Sequence, residues 1–364
     1  MIIEHKTLIY FVVFFLLLLL PRDKKWAGIL FFCILWLLSA CRYNIGYDYP
    51  NYEMIIESTS DDNSFTRLEW TSQLLMELAR YFNFTQLYFI ITSFLIMAPV
   101  AYVFSKESED YSLSALLFYS LPVFFLGSLS CIRQGVACSF IILMIYFLGK
   151  RRNIAALISW LIACQFHISA YICAAMFLIY INVWSLKLCI TAWCSSLALG
   201  ILARPLLSQL ISIIPAGNNP ILLKLQNFVL NPNYLALRGY KGTQILFNLI
   251  FFCMIFFYKK LENFEPKYKN YFHIMVMGIV VLNLGSPFGV TGGRLSIYFF
   301  STLFFLLPII LRCCGQFSRI LRVLLIIFCL FLLAYTILYF SYYLHLKGVI
   351  DRDSYLPYKT FFAK

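Results

Sequence analysis

The sequence predicts an all-α, polytopic membrane helix bundle with about ten to twelve transmembrane helices. Its 364 residues are 62% hydrophobic and only 12% charged, with a mean hydropathy of +0.82. Soluble domains are about 45–50% apolar and about 25% charged, so this chain lacks the polar residues that a water-facing surface requires. The apolar excess runs along the whole length, which indicates a single integral membrane domain over residues 1–364. It excludes a soluble enzyme, a disulfide-rich secreted scaffold and a disordered regulator.

Apolar runs predict the helices, because a lipid-spanning helix needs roughly 17–25 mainly apolar residues. The twelve runs are 7–20, 26–40, 87–104, 112–129, 133–148, 154–165, 168–182, 187–203, 243–258, 271–284, 298–311 and 319–340. Several are short, and the stretch 154–182 is either one bent helix or a re-entrant pair. The first run resembles a signal peptide, but no small-residue cleavage site follows it, so we interpret it as a retained helix.

Lysine and arginine predict the orientation of the bundle. They cluster in short loops such as 149–153 and 259–270, which should face the cytoplasm under the positive-inside rule. The long segments 41–86 and 204–242 then lie outside, where we expect them to roof a cavity. The net charge of +13 is spread over separate loops and forms no continuous basic face, so no nucleic-acid partner is expected.

Cofactor and metal motifs are absent from the sequence. It contains no P-loop, GxGxxG, HExxH or GxSxG pattern, and its twelve cysteines include no CxxC pair. Most of these cysteines lie inside apolar runs and are interpreted as small buried hydrophobes. The sequence therefore predicts neither a cofactor nor a metal site.

The segment from Arg42 to Tyr52 is the first candidate for function, because charged groups at a membrane edge are costly. Asp48 supplies a carboxylate, and Tyr49 and Tyr52 offer flat faces that suit sugars or lipid headgroups. The alternative is an interfacial aromatic belt with an acidic loop. Glu69, farther along the same external segment, is either a helix-capping residue or a chemical group.

Three further polar positions fall at predicted external helix ends. Arg133, followed by Gln134, either meets an anion or extends to the interface as a helix-end arginine. His167 is either a structural histidine or a proton-transfer group near neutral pH. Arg294 follows a turn rich in glycine, which is either a phosphate cradle or a plain interhelical turn.

These positions resemble motifs of the EpsG-like family of Wzy-type O-antigen and exopolysaccharide polymerases. The resemblance extends over roughly residues 40–300. It is carried by Arg42-x-x-x-Gly46-x-Asp48-Tyr49-x-x-Tyr52, by Glu69 before a Leu-rich stretch, by Ile132-Arg133-Gln134-Gly135-Val136-Ala137, by Phe166-His167-Ile168-Ser169-Ala170 and by Gly293-Arg294-x-x-x-Tyr298.

The resemblance implies a GT-C-like glycosyltransferase, multi-pass in the bacterial inner membrane and active at its periplasmic face. Such enzymes join oligosaccharide repeat units carried on undecaprenyl pyrophosphate into O-antigen or a related surface polysaccharide. A nascent chain is the donor, a single lipid-linked unit is the acceptor, and no metal is required. Membrane lipids and a chain-length regulator protein are the other expected partners.

Under this interpretation each candidate residue has a role. We assign Asp48 as general base, His167 as a hydrogen-bond donor to the leaving phosphate and Glu69 as an orienting or capping carboxylate, with the reverse assignment of Asp48 and His167 left open. The substrate-binding set is Arg42, Tyr49, Tyr52, Arg133, Gln134, Arg294 and Tyr298.

Two other kinds of function compete with a polymerase. A flippase for the lipid-linked unit should carry charged residues along a central path, whereas the middles of the predicted helices here are almost uncharged. Another membrane transferase, such as an O-antigen ligase or an acyltransferase with His167 as base, would share the same external residues. The sequence does not distinguish the acceptors of these transferases.

Overall fold

Helices form all the regular secondary structure that a computed structural model of the chain describes. The described residues are 8–22, 24, 26–58, 63–66, 68–179, 184–213, 223, 226, 240–264, 266–286, 290–343, 346 and 355–363. Within these ranges the model contains no strand, and residues 42 and 360 form an isolated bridge. The all-α prediction is confirmed.

The chain is an all-α polytopic membrane protein. Three helices are long and apolar enough to cross a bilayer by length and composition, Gln86–Glu107, Ile132–Gly149 and Gly315–Ser341. A fourth span is added if the bent pair Gly292–Phe300 and Leu303–Cys313 counts as one. Six shorter apolar helices accompany them, Leu8–Leu18, Trp26–Ala40, Asn153–Phe166, Ile168–Ile179, Leu186–Leu202 and Gln244–Ile255. The number of ten to twelve spans stays a prediction.

Contacts divide the chain into two compact units. Unit 1 comprises residues 1–174 and 303–364, and unit 2 comprises residues 175–302. A division into compact units does not test whether residues 1–364 form a single integral membrane domain, so that statement stays a prediction.

Most of the predicted site residues lie in unit 1, within its helices or next to their ends. These helices are α1 (Leu8–Leu18), α2 (Trp26–Ala40), α3 (Tyr49–Glu57), α4 (Asn63–Thr66), α5 (Trp70–Tyr81), α6 (Gln86–Glu107), α7 (Tyr111–Ser120), α8 (Phe125–Ser130), α9 (Ile132–Gly149) and α10 (Asn153–Phe166). A 3-10 segment, Ile168–Ala174, follows α10.

The remaining helices complete both units in chain order. Unit 2 contains α11 (Ala175–Ile179), α12 (Leu186–Ile213), α13 (Tyr240–Ile255), α14 (Tyr258–Phe264), α15 (Pro266–Gly285) and α16 (Val290–Phe300). Unit 1 then resumes with α17 (Leu303–Cys313) and α18 (Ser318–Leu338).

The apolar runs predict most of these helices closely, and α2 matches its run of 26–40 at both ends. The run 112–129 is not one helix, however, because a turn around Pro122 separates α7 from α8. Proline has no N–H for the helical ladder and clashes with the preceding turn. The start of the segment 204–242 is also helical, since α12 continues to Ile213. Most of that segment lies outside the described residues, so the predicted roof over a cavity is untested.

Aromatic rings fill the core of unit 1. Phe104 of α6 lies with its ring centroid 5.3 Å from that of Phe304, 5.8 Å from that of Phe31 and 6.2 Å from that of Phe118. The pairs with Phe304 and Phe118 are edge-to-face, and pairs of this kind contribute about 0.5–1.5 kcal/mol beyond the burial of their area.

The C-terminal segment closes against the start of the external segment 41–86. Tyr358 donates a hydrogen bond of 2.7 Å to the carbonyl of Leu38, and the N–H of Tyr43 donates one of 2.8 Å to the carbonyl of Lys359. Tyr355 is also buried, and its carbonyl accepts from the Tyr10 hydroxyl at 2.9 Å. These bonds fix the backbone on both sides of Arg42.

A polar cluster joins three helices of unit 2. The fully buried Asn283 of α15 accepts hydrogen bonds from Gln244 and Asn248 of α13 and donates one to Ser196 of α12. Side-chain hydrogen bonds between membrane helices contribute about 0.6 kcal/mol on average. The cluster accordingly positions these three helices relative to one another.

Candidate active site

A tight glycine turn sets the path of the chain into α3. Gly46 has a φ of +94°, and a Cβ added to it would lie 2.0 Å from the carbonyl oxygen of Leu129. Only glycine fits this close approach without strain. The next residue, Tyr47, donates its N–H to the Ser130 hydroxyl at 3.0 Å. The turn thereby joins the start of α3 to the end of α8.

Asp48 and Tyr52 lie at the N-terminal end of α3. Asp48 is the N-cap residue, but its side chain makes no capping hydrogen bond. Burial raises the pKa of Tyr52 to about 12. The positive charge and the hydrogen bond of Arg133 lower this pKa, and the negative charge of Asp48 raises it. Tyr52 therefore stays a neutral phenol near neutral pH, with the Asp48 carboxylate near it.

Tyr49 and Arg42 belong to the interior of unit 1. The Tyr49 ring stacks on Phe89 at 4.0 Å, and its hydroxyl donates to Gln86 Oε1 at 2.8 Å. The Arg42 side chain is only 1% exposed, and its Nη1 donates to the carbonyl of Ser39 at 2.5 Å. Both side chains thus support the external segment from within.

Gln86 is a supporting residue that the sequence analysis did not identify. Its Nε2 donates to the carbonyls of Ala40 at 2.6 Å and Arg42 at 2.9 Å, while its Oε1 accepts from Tyr49. A buried amide can satisfy three backbone or side-chain partners in this way. In the sequence, the signal that could have identified Gln86 is its position directly before the apolar run 87–104.

Arg133 joins α9 to both parts of the external segment. Its Nη1 donates to Glu69 Oε2 in a salt bridge, and its Nε donates to the Tyr52 hydroxyl at 3.0 Å. The side chain of Arg133 is 24% exposed, and that of Glu69 is 19% exposed. A partly exposed guanidinium at the start of a membrane helix can still meet an anion from solvent.

The capping interpretation of Glu69 is wrong. Glu69 occupies the N-cap position of α5, yet its side chain forms no capping bond there. Its carboxylate instead accepts from Arg133 through Oε2 and from the backbone N–H of Ile168 through Oε1, at 3.2 Å for the latter. The bond to Arg133 joins two full and opposite charges, whereas a cap would join the carboxylate to a neutral backbone N–H, and the ion pair is the bond that forms.

His167 ends α10 beside this salt bridge. Its Nδ1 accepts a hydrogen bond from the N–H of Ser169 at 3.2 Å and lies 2.6 Å from the Ser169 hydroxyl. A ring nitrogen that accepts from a backbone N–H carries no proton, so the neutral ring carries its proton on Nε2. Ser169 therefore sets the tautomer of His167.

Four predicted site residues meet in one cluster. Tyr52 and Glu69 bond Arg133, and Glu69 also bonds the residue that follows His167. We call Tyr52, Glu69, Arg133 and His167 the external cluster, after the side of the membrane on which the sequence predicts them. Gln134, the neighbour of Arg133, is buried. Among the described residues, no group of three or more His, Cys, Asp or Glu side chains could hold a metal ion.

Arg294 and Tyr298 lie on α16 in unit 2, where Arg294 is exposed and Tyr298 is fully buried. The glycines before them allow α15 and α16 to approach closely, since a Cβ on Gly292 would lie 1.8 Å from the carbonyl oxygen of Gly285. Residues 287–289 of this turn lie outside the described residues. The glycine-rich turn is therefore, at least at Gly292, a site of close helix packing.

Comparison with known proteins agrees with these motifs. The model of the EpsG family matches residues 25–360 of this chain, a range that includes every candidate site residue. Neither the curated proteins nor the solved structures gave a match. The family match covers both units almost completely, and the chain therefore belongs to the EpsG family.

Proposed function

We propose that this protein is a membrane glycosyltransferase that polymerises oligosaccharide repeat units carried on undecaprenyl pyrophosphate. The product is O-antigen or a related surface polysaccharide, made at the periplasmic face of the bacterial inner membrane. The external cluster supports this proposal most directly, because it combines a cation, a carboxylate and an imidazole in a chain of the EpsG family.

The reaction needs a base and a stabilised leaving group. A hydroxyl of the acceptor sugar attacks the anomeric carbon of the donor, and the bond from that carbon to the pyrophosphate oxygen breaks. The hydroxyl proton passes to a base, while undecaprenyl pyrophosphate departs with the electron pair. We assign the base to Asp48, whose carboxylate precedes α3 and lies near Tyr52.

Arg133 is assigned to the leaving pyrophosphate. Its described contacts use Nε and Nη1, so Nη2 is the nitrogen that would donate to a phosphate oxygen. Glu69 and Tyr52 hold the guanidinium plane in place before substrate arrives, which lowers the entropic cost of binding. Arg294, exposed on α16 of unit 2, keeps the phosphate-binding role that the sequence predicts for it. In unit 1 the positive charge comes from Arg133, and the proposal assigns no step to a metal.

His167 is assigned as a donor on the phosphate side. Because Ser169 occupies Nδ1, the neutral ring presents an N–H at Nε2. An N–H directed at an oxyanion stabilises the charge that develops as the bond breaks. Three buried residues of the predicted binding set have a different proposed role, which is to maintain the shape of the site. These are Arg42, Tyr49 and Gln134. Tyr298, which is buried in unit 2, keeps the substrate-binding role that the sequence predicts for it.

Deletion of the gene, followed by gel separation of the surface polysaccharide, tests the proposal. A missing polymerase should leave surface chains that carry a single repeat unit, and the wild-type gene should restore the ladder. Complete loss of attached chains would indicate an O-antigen ligase instead. Repeat units trapped on the cytoplasmic side would indicate a flippase.

A further inference from the structure

Helix α5 is too short to cross a membrane, although it is rich in apolar residues. Its 12 residues extend about 18 Å at 1.5 Å per residue, against a hydrocarbon core of about 30 Å. One face packs into unit 1 through Ser72, Met76 and Ala79, which are all buried. The helix therefore lies against the protein along its length, and its other faces are open.

A second face of α5 is apolar and exposed. Trp70, Leu74, Leu78 and Tyr81 are each between 38% and 80% exposed. Their spacing of four, four and three residues places them along one side of a helix. We call these four residues the α5 stripe.

A polar edge borders the stripe. Arg80 is half-buried and lies on the side of the helix away from Leu78. Glu77 is exposed and lies at the margin of the stripe, about 20° from Trp70 and about 40° from Tyr81 around the helix at 3.6 residues per turn. The helix thus has a buried face and an exposed apolar face, with one carboxylate at the margin of the exposed face.

The stripe adjoins a second exposed apolar surface, on α10. The Thr71 hydroxyl donates to the carbonyl of Gln165 near the end of α10, which ties the start of α5 to the end of that apolar helix. The exposed side chains of α10 include Ile154, Leu157, Ile158 and Leu161. A tryptophan and a tyrosine at the ends of the stripe suit the membrane–water interface, where these residues are enriched.

We propose that the α5 stripe is embedded in the lipid acyl chains at the outer surface of the membrane, so that α5 is an interfacial helix. Glu69 immediately precedes Trp70, and it bonds Arg133. A stripe at this depth holds both charged groups at the level of lipid headgroups. If the proposed function is correct, this is the level at which the pyrophosphate of a lipid-linked sugar is presented.

Photo-crosslinking from two positions of α5 tests the inference. Benzoylphenylalanine replaces Leu78 in one full-length variant and Gln73, which lies about 140° from Leu78 around the helix, in the other. Each protein is reconstituted into vesicles of phosphatidylethanolamine and phosphatidylglycerol, and after irradiation mass spectrometry measures the lipid adducts. We expect about tenfold more lipid adduct from position 78 than from position 73, because only position 78 belongs to the stripe. The same substitution at Leu74 should match position 78, which guards against a local defect in one variant.

Two outcomes would overturn the inference. Equal yields of lipid adduct at 73, 74 and 78 would show that the stripe has no preferred contact with lipid. Protein dimers crosslinked through 74 and 78, without lipid adducts, would show that a second copy covers it. Crosslinking requires no turnover, so an inactive preparation that still forms lipid adducts would count against the proposed function and leave this inference standing.

Discussion

Glu69 and Arg133 form a salt bridge across 64 positions of the sequence, and it connects the start of α5 to the start of α9. The second oxygen of the same carboxylate accepts the N–H of Ile168, next to His167. One carboxylate thus connects three separate segments, which explains how the short helix α5 can position a membrane-helix arginine and an imidazole together.

Replacing Glu69 with glutamine tests this relationship. The amide oxygen can still accept the N–H of Ile168, but the negative charge opposite Arg133 is lost. A hydrogen bond to a charged group contributes about 1.5–3 kcal/mol, so we expect polymer synthesis to fall by about tenfold to a hundredfold. Glu77→Gln, which changes an exposed carboxylate on the same helix, should keep wild-type synthesis. Wild-type activity in Glu69→Gln would refute the positioning role.

Replacing Arg133 with lysine tests the guanidinium fork, which bonds Tyr52 through Nε and Glu69 through Nη1 and is proposed to bond phosphate through Nη2. Lysine keeps the charge but loses the planar fork and its fixed geometry. We expect Arg133→Lys to synthesise polymer nearly as poorly as Arg133→Ala, with a raised KM for the lipid-linked donor. Arg312, which bonds Glu109 at 2.5 Å, provides a control away from the external cluster. Arg312→Lys should retain activity, and full activity in Arg133→Lys would indicate a helix-end anchor only.

The roles of Asp48 and His167 are separated by comparing binding with bond formation. Asp48→Asn should still bind the lipid-linked donor but form almost no glycosidic bonds, because the base is gone. His167→Ala should retain residual synthesis, since a hydrogen-bond donor and not the base is removed. The measurement is polymer length from purified variants across a range of pH. Normal polymer from Asp48→Asn, together with a dead His167→Ala at every pH, would reverse the two assignments.

Replacing Gly46 with alanine tests the turn that places Asp48. A residue other than glycine at positive φ costs about 1–2 kcal/mol, and here the added Cβ would also collide with the Leu129 carbonyl. We expect a lower Tm and a loss of synthesis together. Gly242→Ala is the matched control, because a Cβ at Gly242 meets nothing within 4 Å. Equal thermal stability of the two variants would contradict the account of this turn.

The sequence predicts the helices well where apolar runs are uninterrupted, as in α2 and α9. It also indicates Glu69, Arg133 and His167 individually, because charge at a membrane edge is unusual. Their pairing was not predictable, since it depends on how α5 packs between segments distant in sequence. Glu69 at an N-cap position favoured capping, and the tertiary partner Arg133 overrode that local preference.

The C-terminal segment shows a different limit of sequence patterns. Residues 355–361 have neither helical nor strand periodicity, and nothing in the sequence indicated that they are important. In the structure, Tyr355 and Tyr358 are buried and bond backbone carbonyls through their hydroxyls. Single hydrogen bonds to distant carbonyls leave no repeating signal, so only the tertiary structure reveals this contact with the segment around Arg42.

Reconstituted polymerisation tests the central claim most directly. Purified protein in lipid vesicles is supplied with a repeat unit on undecaprenyl pyrophosphate, and the sugar chains and the released undecaprenyl pyrophosphate are measured together. We expect a ladder of lengthening chains, with one undecaprenyl pyrophosphate released for each bond formed, and loss of both products in Glu69→Gln. Movement of the lipid-linked unit between leaflets without any ladder would contradict the claim.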